Sequence, residues 1–162
     1  MEILKNIIGI IHTLAASVSI IAGAYVLLKI KGDIKHKKWG KCYFYAMLLN
    51  NLSALLIFRS FGYWFFPHSL AVVALAFLIP GYFVLRIKNF RAGIFVHIFC
   101  FVISYYLLIG GAVNEAFLRI PSLQKHDVGS PVNGMTHFAA MLYFIILLIF
   151  YLVKYRKFKL NS

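Results

Sequence analysis

Acidic side chains are almost missing from this chain: Glu2, Asp33, Glu115 and Asp127 are the only four carboxylates in 162 residues. Chemistry that needs two facing carboxylates has almost nothing to draw on, and no carboxylate falls mid-span, where a proton-coupled transporter wants one. Cysteine is as scarce. Cys42 and Cys100 form no C-x-x-C pair, which excludes a disulfide framework or a zinc ribbon and leaves two small buried hydrophobes. G-x-S-x-G, P-loop, H-E-x-x-H and G-x-G-x-x-G motifs are all absent, so the catalytic signatures of the common soluble enzymes are missing too.

Apolar residues fill the space instead. The chain is 62% hydrophobic, 17% aromatic and 13% charged, with a mean hydropathy of +0.85. A soluble domain is about half apolar and about one quarter charged. This composition therefore predicts an all-α, polytopic transmembrane helix bundle forming one integral membrane domain over residues 1–162. The formal net charge of +13 could suggest nucleic acid. Its distribution argues otherwise, because the basic residues lie in short clusters between apolar runs.

Five spans are expected, at about residues 8–28, 42–58, 67–85, 92–112 and 134–153. The first is too long for a signal-peptide core and is followed by Lys29 and Lys31, so it reads as retained. The basic segment 29–41 reads as a loop, with helix two starting near Cys42 or one turn earlier. Arg59, Ser60 and Gly62 read as a tight turn, and Tyr63 to Phe66 as an interfacial aromatic belt. Pro67 suits a first helical turn, Pro80–Gly81 a kink, and Pro121 ends a fourth helix that can run on to Arg119. Residues 121–133 read as a polar loop. Thirteen of the 17 Lys and Arg residues fall on the side of segments 29–41, 86–91 and the C-terminal tail. The positive-inside rule then puts the N-terminus outside and the C-terminus in the cytoplasm, with the bacterial inner membrane as the expected location. The lysine cluster is expected to contact anionic lipid. Asn50, Asn51 and Ser53 are expected to supply hydrogen bonds between helices.

Six histidines in so apolar a chain are the main chemical signal, since an ionisable group inside a span is costly and marks a functional site by default. His12 and His137 enter spans one and five from the outer side to similar depth, roughly 8 Å for His12 at 1.5 Å per residue. His68 heads span three on the same side, with Glu115 and His126 near enough to join. His36 and His97 form a second, inner pair. Imidazoles on facing helices can hold a haem iron; three imidazoles and a carboxylate can hold zinc, copper or iron. His12, Ala16, Ser19 and Gly23 share one helix face, as do His97, Ser104, Gly111 and Glu115, so a neighbour or flat cofactor can come close.

These patterns leave three functions open. One is a redox protein holding haem b or a metal through His12, His68 and His137, with Glu115 and His126 added in a metal site. Another is a binding or assembly factor whose histidines take a metal, quinone or lipid, or only pack the bundle, and which serves a larger membrane complex or a second copy of itself. The third is a zinc hydrolase using Glu115 to activate water. Nucleic acid is not an expected partner.

Lys31, Gly32, His36, Lys37, Lys38, Trp39 and Gly40 after the first span, with His12 before them and His97 after, resemble the K-G…H-R-x-x-G segment of a widespread bacterial family of predicted multi-span membrane proteins of unknown function. The resemblance covers spans one to four. Lys37 stands where the family has arginine, and span five with His137 lies outside it. It implies a four-helix core and no activity. A more distant likeness of architecture is to small b-type cytochromes, with histidines on facing helices; likeness of architecture does not carry function.

Overall fold

The computed structural model describes residues 2–29, 32–61, 66–87, 92–126 and 129–160, and side chains within 6–156 except those of 58–67. Within them the chain is helical: α1 Glu2–Leu28, α2 Ile34–Phe61, α3 Phe66–Phe83, α4 Gly93–Arg119, the one-turn α5 Pro121–Gln124 and α6 Pro131–Leu160. A 3-10 turn, Val84–Arg86, follows α3. Four segments are long and apolar enough to cross a membrane: Asn6–Leu28, His68–Arg86, Gly93–Arg119 and Pro131–Arg156. About 20 apolar residues suffice for a span.

Both ends of α2 and the start of α6 differ from the sequence expectation, the two starts for a local reason. Helix α2 starts at Ile34, eight residues before Cys42, because Asp33 caps it. The Asp33 Oδ1 accepts the His36 N–H at 2.6 Å and its carbonyl accepts the Lys37 N–H at 3.1 Å, satisfying donors that a helix start leaves unpaired. Gly32, at φ +84°, supplies the left-handed residue that turns the chain into this cap. At its other end α2 runs through Arg59 and Ser60 to Phe61; Gly62 and the aromatic stretch Tyr63 to Phe65 lie outside the described residues. Helix α6 starts at Pro131, inside the expected loop, because Ser130 caps it. Ser130 Oγ accepts the Asn133 N–H at 3.3 Å, its carbonyl accepts that of Gly134 at 3.0 Å, and proline suits the first helical position.

Pro67 and Pro121 act as expected. Pro67 lies in the first turn of α3. Ile120 is extended at φ −84°, ψ 117°, as the following Pro121 requires, and α4 stops there. Pro80 sits inside α3, which ends three residues later.

The chain divides into two compact units, Met1–Leu78 and Ile79–Ser162. In the first, α1 and α2 form an antiparallel hairpin. His12 meets Asn50 and Ser53 at one end, and Tyr25 stacks on Trp39 at the other, with ring centroids 4.9 Å apart. Ala15, Ser19, Ala22 and Val26 are buried on α1; the small ones let the backbones approach. Tyr43, Met47, Asn50 and Asn51 are buried on α2. In the second unit α4 and α6 pair antiparallel. His137 meets Asn114, Phe144 meets Tyr105 at 5.8 Å and Tyr106 at 5.7 Å, and Tyr155 meets Phe95 at 5.3 Å. The last turn of α3 lies close to α4: a Cβ on Gly81 would come within 2.6 Å of the Cys100 Cβ.

Candidate functional site

Three intramembrane histidines are each anchored by one ring nitrogen to an oxygen on another helix. On α1, His12 Nδ1 lies 3.0 Å from the Asn50 carbonyl and 3.2 Å from Ser53 Oγ, both on α2. The Ser53 hydroxyl itself donates to the Asn50 carbonyl at 2.8 Å. A carbonyl only accepts, so Nδ1 carries the proton, and in the neutral imidazole Nε2 carries the lone pair. On α4, His97 Nδ1 lies 2.7 Å from the Gly81 carbonyl. The same logic puts the proton on Nδ1 and the lone pair on Nε2. Gly81 O belongs to the last four carbonyls of α3, which have no acceptor role left within the α-helix, so His97 completes that helix end.

His137 has the opposite tautomer. Its Nε2 donates to Asn114 Oδ1 at 2.8 Å. Asn133 Nδ2 points at the same oxygen from 3.5 Å, so two donors converge on one acceptor. The lone pair is then on Nδ1, on the ring edge facing Gly110, 3.8 Å from where a Cβ on that glycine would be.

The other sequence candidates stand as follows. His68 is buried near the start of α3. His36 is half-buried in the first turn of α2. His126 is half-buried just beyond α5, with its backbone N–H on the Leu123 carbonyl at 2.8 Å. Glu115 accepts a hydrogen bond from Arg119 one turn on, and both side chains are more than half exposed. Among the described residues, no three or more His, Cys, Asp or Glu side chains come together as a metal-holding group. Cys42 and Cys100 are free thiols, half-buried and buried; Asp127 lies outside the described residues.

The expected polar residues of α2 divide their work. Ser53 and the Asn50 backbone serve His12, whereas Asn51 Nδ2 donates within its own helix, to the Met47 carbonyl at 2.7 Å. On α1, Ser19 and Gly23 are buried, while His12 and Ala16 are half-buried. The sequence reading missed Asn114, Asn133 and the Gly81 carbonyl. Only Asn114 left a trace in residue type, as an amide among the apolar residues of α4 one turn after Gly110.

Chemically, a histidine whose Nδ1–H is held by a carbonyl and whose Nε2 is a lone pair is the arrangement that orients imidazole as a ligand and raises its basicity. His12 and His97 have it; His137 offers Nδ1 instead.

No curated protein and no solved structure matches the chain. A family model described as a predicted membrane protein, DUF2306, matches residues 9–154. A multi-pass chain of apolar helices with this match belongs to that family of predicted membrane proteins.

Proposed function

We propose that this membrane protein is a redox protein, a bundle like the small b-type cytochromes in which intramembrane histidines hold haem b for electron transfer. The observation that supports it is the matched pair of tautomers: His12 and His97 each give Nδ1–H to a backbone carbonyl, which puts the ring lone pair of each on Nε2. Haem fits these residues better than a bare ion does. A porphyrin brings four nitrogens of its own and needs one or two imidazoles from the protein. A tetrahedral zinc needs three or four protein ligands, and no such group is formed among the described residues. Bound haem would supply one-electron chemistry. The chain's part is to fix each imidazole ring against rotation and to exclude water with the apolar residues around it. The outer set named from the sequence, His12, His68 and His137, stays in this reading as the source of axial ligands, with His36 and His97 as the inner pair.

The topology that goes with it has five spans. Helix α2 is 28 residues long, and its first two turns carry Lys35, Lys37, Lys38 and Lys41. Its apolar part from Cys42 onward would be the fifth crossing, with the N-terminus outside, the C-terminus in the cytoplasm and the protein in a bacterial inner membrane.

A second reading is a non-enzymatic binding or assembly factor. The same bonds favour it, because each anchored histidine also closes a contact between two helices. Haem content separates the two. Protein made with ample haem should carry bound haem by the pyridine haemochrome assay, and His12→Ala or His97→Ala should each lower its occupancy. Haem-free parent protein, or unchanged occupancy in both variants, would reject the redox reading in favour of the second.

A further inference from the structure

One face of α2 is laid out like a phospholipid. Lys38, Lys41, Tyr45, Leu49, Leu52 and Leu56 recur every three or four residues, within about 80° of one another at 3.6 residues per turn. The opposite face, with Tyr43, Met47 and Asn50 buried, is the one turned to α1. All six residues of the stripe are exposed, Tyr45 at 62%. Read along the helix, they give two cations, then an amphipathic ring, then three aliphatic side chains. From Lys41 to Leu56 is roughly 22 Å at 1.5 Å per residue, about one leaflet with its headgroup layer.

Among the described residues, no carboxylate forms an ion pair with the lysines at the head of the stripe. Lys35, Lys37, Lys38 and Lys41 crowd the N-terminal end of α2, where the helix dipole is already positive. Asp33, the one acid beside these four lysines in sequence, faces the helix start and accepts the His36 N–H, so four cations stand against one anion there. The lysines are also held on a regular helix from Ile34 on, so their spacing is preset.

We infer that this face of α2 is a binding site for one anionic phospholipid, with the phosphate at Lys38 and Lys41, the glycerol ester level at Tyr45 and an acyl chain along Leu49, Leu52 and Leu56. Order of charge, ring and aliphatic residues is what selects a lipid over a soluble anion, which would have no use for the leucines. The inference rests on the proposed crossing of α2 and is independent of the haem reading, since no histidine takes part.

The test is native mass spectrometry of the detergent-purified chain with added phosphatidylglycerol or phosphatidylcholine. The parent should retain one phosphatidylglycerol in preference to phosphatidylcholine. K38Q/K41Q should bind phosphatidylglycerol roughly 30-fold more weakly, at about fivefold per lysine near a membrane surface. Exposed glutamines leave the fold intact, and K154Q/R156Q, an equal loss of charge on α6, should bind like the parent. Equal retention of the two lipids by the parent, equal losses in both double variants, or a dimer that binds no lipid would overturn the inference.

Discussion

His97 gives its Nδ1–H to the carbonyl of Gly81 at 2.7 Å, tying α4 to the last turn of α3. The glycine serves twice. Its carbonyl takes the histidine, and its missing side chain makes room for Cys100, whose Cβ would lie 2.6 Å from an added methyl. Gly81→Ala should therefore destabilise the protein by about 1–3 kcal/mol, the usual cost of overpacking a filled site, read as a lower melting temperature in detergent. Adding Cys100→Gly, which removes the clashing Cβ, should recover part of the loss. A melting temperature unchanged in Gly81→Ala would contradict the close approach.

Asn114 is the shared acceptor for His137 and Asn133. Asn114→Leu strands two donors inside the α4–α6 pair and should cost about 1–3 kcal/mol, the penalty for leaving buried polar groups unpaired. Asn114→Asp keeps an acceptor oxygen and should be milder. Equilibrium unfolding in mixed micelles checks the order of the two variants.

At His12 the two acceptors overlap, so losing one should matter little. Ser53→Ala leaves the Asn50 carbonyl at 3.0 Å and should cost no more than about 0.6 kcal/mol, the mean for a hydrogen bond between membrane helices. In a double-mutant cycle with His12→Phe, the coupling should be correspondingly small. A coupling above about 1.7 kcal/mol, the top of the measured range, would mean that Ser53 and not Asn50 is the main anchor.

Asp33 holds the start of α2 through the His36 N–H. Asp33→Ala should cost about 1 kcal/mol, as loss of an N-cap does, and amide exchange should speed up in the first turn of α2 before anywhere else. Asp33→Ser should retain most of the protection.

The exposed Glu115–Arg119 pair is the contrasting case. Arg119→Gln should shift stability by no more than about 0.5 kcal/mol, because an exposed i, i+4 ion pair gains little in water or at a headgroup layer.

Much of the architecture can be read from the sequence because apolar length and proline placement are local signals. The full reach of α4 to Arg119 follows from Pro121, and the start of α3 from Pro67. The starts of α2 and α6 were hidden for a physical reason. Their caps are single side chains, Asp33 and Ser130, and each sits in a stretch whose lysines or prolines read as loop. At the candidate site, His12 and His97 stand out as ionisable residues in apolar spans, and Ser53 as a polar neighbour. What orients them does not stand out, because the acceptors at Asn50 and Gly81 are backbone carbonyls, which every residue has. Only a known helix pairing shows which carbonyl meets which ring.

The central claim is that imidazoles held in this way bind haem for electron transfer. It is tested most directly by the optical difference spectrum of protein purified from haem-replete cells, dithionite-reduced minus oxidised. A Soret band that shifts on reduction with a sharp α band is expected, with loss of signal in His12→Ala and His97→Ala. A featureless difference spectrum from the folded parent protein would contradict it and leave the histidines as fasteners between helices.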